Sequence, residues 1–114
     1  MEVFGKERHF LLTVGAATEI ASFCPNGDLS RIGELMNDSY DKSMIYIAKL
    51  IVALNKGYEQ RQKFETGESN EPLTLEMVMA LDMQDIAVLQ REALNAFTRD
   101  SKTTVKTQSK KKTD

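Results

Sequence analysis

Hydrophobic positions recur at spacings of three and four over most of this chain, and turn-forming residues stand where the pattern stops. Ala16, Ala17, Ile20, Ala21 and Cys24 make one such stripe, with Thr13 placed to cap it. Pro25-Asn26-Gly27 ends that helix, since proline cannot continue it and Asn-Gly favours a turn. Asp28 can cap a short helix whose Leu29, Ile32, Leu35 and Met36 share a face. Asn37-Asp38-Ser39 then breaks the chain and recaps it.

The next segment predicts the centre of the domain, a helix over residues 40–64. Met44, Ile45, Ile47, Ala48, Leu50, Ile51, Val52 and Leu54 are apolar on nearly every side, so neighbours must cover them. Residues 55–63 turn polar and are expected to emerge into solvent, with Gly57 weakening that stretch by about 1 kcal/mol relative to alanine. Residues 65–72 read as a loop. Thr74 caps a short helix carrying Leu75, Val78, Met79 and Leu81. Asp82 caps a last helix over residues 84–99, with Ile86, Leu89, Ala93, Leu94 and Phe97 at helical spacing.

The N-terminus is different. Residues 3–12 read as two short extended pieces around a Gly5-Lys6 turn, with a helical or disordered start as the alternative. The whole predicts an all-α domain over residues 1–100, of four to five helices around a buried central one, with a small β-hairpin in front. Residues 101–114 have no apolar period and one large apolar side chain, Val105, so they predict a disordered basic tail.

Charge sharpens that division. Residues 1–100 carry 10 Lys/Arg against 16 Asp/Glu, a balance of −6, and residues 101–114 carry five Lys against one Asp, a balance of +4, which together make the chain's net −2. An acidic body argues against a nucleic-acid groove on the folded part. The tail alone would touch phosphate or acidic protein without specificity. One cysteine excludes an internal disulfide, and Cys24 on an apolar stripe reads as a buried thiol rather than a nucleophile. The start of the chain has no apolar signal-peptide core. The longest apolar run, residues 44–54, contains Lys49 and falls short of the about 20 residues a membrane span needs. A soluble cytoplasmic protein is expected.

Chemistry is thin. His9 and Cys24, the one histidine and the one cysteine, do not make a tetrahedral metal site, and no glycine loop cradles phosphate. Glu65, Glu68 and Glu71 do not fit a calcium-loop frame. No catalytic residue, metal or cofactor is expected. Met77, Met79 and Met83 form a methionine-rich patch, for which core filling is the ordinary explanation. Met77 and Met79 cannot both face one core from one short helix. With Tyr58 and Phe64, near the polar end of the central helix, they are the candidate partner contacts.

The order of these parts resembles the short tail assembly chaperones of long-tailed, non-contractile (siphovirus-type) phages and prophages. The resemblance covers most of residues 3–100. It lies in the Phe4-Gly5-Lys6-Glu7 turn and in Phe10-Leu11-Leu12-Thr13 leading into an alanine-rich helix. A short leucine helix, the apolar central helix and an acidic linker follow, and then Pro72-Leu73-Thr74-Leu75-Glu76 opens the helical C-terminus. It is a match of pattern rather than of invariant residues.

The resemblance implies a protein made in the host cytoplasm during virion assembly and not kept in the mature virion. It implies binding to the tape-measure protein, keeping it soluble and helping to recruit tail-tube subunits; no membrane and no specific nucleic acid is expected as a partner on the charge and apolar-run grounds above. The family often makes a longer product by programmed frameshift near the end of the short frame, which is where Lys110-Lys111-Lys112 stands. A plain solubilising tail accounts for the same lysines. The alternatives to the chaperone reading are a small nucleic-acid-associated regulator using the lysine tail, and a structural head–tail connector.

Overall fold

The computed structural model describes the backbone of residues 1–113 and the side chains of residues 1–101. A two-stranded antiparallel hairpin, β1 (Glu2–Val3) and β2 (Lys6–Glu7), precedes five helices: α1 (Val14–Phe23), α2 (Ile32–Met36), α3 (Tyr40–Thr66), α4 (Leu75–Met79) and α5 (Met83–Thr113). Short 3₁₀ turns at Pro25–Gly27 and Leu29–Arg31 join α1 to α2. The all-α class and the N-terminal hairpin stand as the hydrophobic pattern predicted. The turn is shifted by one residue. Phe4 and Gly5 sit at its centre with φ of 51° and 80°, and Lys6 already pairs with Val3. Two central residues at positive φ match the twist of a tight hairpin.

Helix boundaries follow the capping chemistry. The Thr13 hydroxyl accepts the Ala16 N–H at 3.1 Å, Thr74 accepts that of Met77 at 3.2 Å, and Asp82 accepts that of Asp85 at 2.8 Å. Asp28 accepts the Ser30 N–H at 3.0 Å and so starts the 3₁₀ turn rather than α2 itself. Gly67, at φ 80°, closes α3 by donating its N–H to the Lys63 carbonyl. α5 continues past the boundary expected near Asp100. The backbone of residues 101–113 is thus helical where a disordered tail was expected, and the side chains of Lys110, Lys111 and Lys112 lie outside those described.

The core forms around α3. Leu50, Ile51 and Leu54 are fully buried there, and Ile20 of α1, Leu35 of α2, Val78 of α4 and Leu89 and Ala93 of α5 close over them. Not every apolar residue of α3 is covered: Tyr40 and Ile45 are exposed.

The polar half of α3 corrects the expectation that it leaves the protein. Asn55, Gly57 and Glu59 are buried, because the N-terminal segment and the 67–73 loop pack over them. Asn55 donates from Nδ2 to the His9 carbonyl at 3.0 Å and accepts the Leu73 N–H at 2.7 Å. Glu59 accepts the Asn70 N–H at 2.9 Å. The buried Arg8 guanidinium donates to the Val3 and Glu71 carbonyls at 3.3 and 2.7 Å. The segment is tied to α5 as well, through Leu12 N–H to Asp100 Oδ2 at 2.8 Å.

Candidate partner-binding surface

The N-terminal segment approaches α3 through Gly57. Leu11 donates its N–H to the Leu54 carbonyl at 3.1 Å, and a Cβ at position 57 would stand 2.7 Å from the Leu11 carbonyl and 2.9 Å from the Thr13 hydroxyl. That is nearer than real Cβ atoms come, so the residue read as a weak point in the helix is the one that lets the segment seat. Seated there, the start of α1 projects Val14 beside the end of α3, where Phe64 stands. Val14 is 85% exposed and Phe64 90% exposed. With Leu11, Leu12 and Arg61 they border a groove of about 470 Å³.

The five residues picked out as partner contacts do not form one patch. Phe64 belongs to this groove. Tyr58 is half-buried six residues earlier on another side of α3, its ring 4.9 Å from that of His9 and its hydroxyl accepting the Gln62 amide at 2.6 Å. Met77 packs against the core. Met79 and Met83 are exposed, so the methionines of α4 do divide between core and surface. The Tyr40 hydroxyl lies 3.4 Å from the Met83 sulfur, which places an exposed apolar pair at the N-terminal end of α3. Tyr40 and Phe64 are about 36 Å apart along the helix axis at 1.5 Å per residue.

Residues that the sequence did not mark as partner contacts lie between these ends. Phe23, Val52, Lys49 and Leu75 line a notch of about 440 Å³ between α1, α3 and α4. Phe23 stacks on Tyr46 at 5.9 Å, and the Lys49 ammonium lies 5.7 and 5.6 Å from the two ring centres, within cation–π range. Between the notch and the Phe64 groove lies a smaller cavity of about 240 Å³ over Gly15, Ala53 and Gly57, where Lys56 pairs with Glu19 of α1 at 3.4 Å. The signal was present in the sequence: positions 49, 52, 53, 56, 57, 60, 61 and 64 follow spacings of three, one, three, one, three, one and three, one face of a helix.

Two further clefts share His9, Tyr58 and Gln62, and one of them adjoins the Phe64 groove through Leu11 and Arg61. One oxygen of buried Glu59, Oε2, has no hydrogen-bond partner. Burial pushes the Cys24 thiol up, with Asp28 adding to the shift, so the thiol is held in its unreactive form. Among the described residues no three His, Cys, Asp or Glu side chains come together as metal ligands, and no helix is long and apolar enough to cross a membrane.

Comparison of the chain with family models, with curated proteins and with solved structures finds no match.

Proposed function

We propose that this protein is a tail assembly chaperone of a long-tailed, non-contractile phage or prophage. It binds the tape-measure protein, keeps that protein soluble before the tube surrounds it, and helps recruit tube subunits. One observation carries the reading. A small acidic helical body exposes large apolar side chains at both ends of its central helix, Tyr40 with Met83 at one end and Val14 with Phe64 at the other.

Exposed apolar surface of this kind is retained where something has to be covered. A long helical protein that aggregates alone presents repeated apolar stripes. Two contacts spaced along one short domain can hold such a stripe reversibly, each contact being weak. The net charge of −6 over residues 1–100 keeps the loaded complex soluble.

The test is composition. In cells assembling phage tails, the protein should co-purify with the tape-measure protein, and purified virions should lack it. Its presence in virions at fixed stoichiometry would favour the head–tail connector over the chaperone.

A further inference from the structure

The three cavities beside α1 lie end to end along one face of α3, and together they form a trough. Its length from Lys49 to Phe64 is fifteen residues, about 22 Å at 1.5 Å per residue, or four turns. Its middle is lined by exposed Gly15 and by the Lys56 and Gln60 side chains, over buried Ala53 and Gly57. Each end is apolar: Phe23, Val52 and Leu75 at one, Val14 and Phe64 at the other.

The trough runs against the charge of the body that carries it. Lys49, Lys56 and Arg61 line it against Glu19, with Glu65 paired to Arg61, while residues 1–100 as a whole stand at −6. The acids already paired there are exposed. Glu19 faces Lys56 at 3.4 Å and Glu65 faces Arg61, with all four side chains between 42 and 59% exposed. Such pairs hold little free energy, so a carboxylate from outside can exchange into them.

We propose that this trough is a docking site for one amphipathic helix of about four turns with an acidic polar edge. Large apolar residues at the two ends of that helix would fill the Leu75 notch and the Phe64 groove. Its carboxylates would meet Lys49, Lys56 and Arg61. With no side chain at exposed Gly15, a docked helix can come close to the start of α1, at the 8–10 Å between axes typical of packed helices. The inference rests on the reading of the chain as a binder of an elongated helical protein, and it names the kind of segment bound.

The test uses the full chain and two synthetic amphipathic helices of about 18 residues. Both carry the same leucine stripe; one has glutamates along its polar edge and the other lysines. The acidic peptide is expected to bind at least about tenfold more tightly at low salt, and the preference should shrink as salt is added. The double variant Lys49→Glu, Lys56→Glu should reverse the preference. Gly15→Leu should block both peptides; its thermal melt is read beside that of Gly15→Ala, whose Cβ meets only ordinary contacts at 3.8 and 3.9 Å, to show that the fold is intact.

Equal binding of the two peptides, or binding untouched by Gly15→Leu, overturns the trough as the site. If such variants still keep full-length tape-measure protein soluble on co-expression, the trough is refuted and the chaperone reading stands. If the parent chain neither binds a peptide nor keeps the tape-measure protein soluble, both fall.

Discussion

Asn55 Oδ1 accepts the backbone N–H of Leu73 at 2.7 Å in the buried interior, while its Nδ2 donates to the His9 carbonyl at 3.0 Å. One side chain thus ties the N-terminal segment, α3 and the loop before α4 together. Replacing it strands two backbone groups. Asn55→Leu is expected to cost about 1–3 kcal/mol for each group left unpaired without water. Equilibrium urea unfolding reads this as a lower midpoint at unchanged slope. A midpoint equal to the parent's would show that the three segments are held by apolar packing alone.

Two glycines should respond in opposite directions to the same change. At Gly57 an added methyl would press on the Leu11 carbonyl at 2.7 Å, and a helix interior leaves it no room to move. At Gly15 it has ordinary contacts only, and alanine there gains about 0.5–1 kcal/mol of helix stability. Thermal melts should therefore rise for Gly15→Ala and fall for Gly57→Ala. If both rise, the close approach of residues 11–13 to α3 is wrong.

These residues mark the limit of what the sequence made legible. Helix positions, the caps at Thr13, Thr74 and Asp82, and the central place of α3 all follow from local patterns that act within a few residues. Burial of Asn55, Gly57 and Glu59 does not, because it depends on a segment more than 40 residues earlier and on the 67–73 loop folding over them. A polar stretch at the end of an apolar helix looks the same whether water or backbone satisfies it. The partner contacts were legible only in part for a similar reason. Aromatic and methionine content marks Phe64, Met79 and Met83, but whether Met77 and Tyr58 join them is decided by which neighbours cover them.

Exposure and burial on one helix separate folding from binding. Ile51 is fully buried and Phe64 is 90% exposed. Ile51→Asp should leave no cooperative melt, because an unpaired charge in that core is prohibitive. Phe64→Ser should melt within about 0.5 kcal/mol of the parent, as changes at the surface usually do. Circular dichroism against temperature checks both. A folded Ile51→Asp would displace the core from α3.

The link between Asp100 and the N-terminal segment predicts a pH dependence. Burial raises the Asp100 carboxyl, but hydrogen bonds from Arg99 and the Leu12 N–H outweigh it and hold the group below its ordinary value. A carboxylate depressed in the folded state adds stability above its unfolded pKa and loses it as pH falls through the folded one. The loss therefore falls below about pH 4, where an unfolded aspartate takes up its proton. Asp100→Asn should make the stability curve flatter in that acid range and leave its shape near neutrality unchanged. An acid limb identical in the two proteins would show that the contact contributes nothing on folding.

The most direct measurement of the account is the solubility of the tape-measure protein of the same phage or prophage, produced with and without this chain. Co-expression should move it from the pellet into a soluble complex that contains both proteins. Val14→Ser with Phe64→Ser should return it to the pellet, although the doubly substituted chain still folds. A tape-measure protein equally insoluble in the presence of the parent chain, or equally soluble in its absence, would contradict the proposed function.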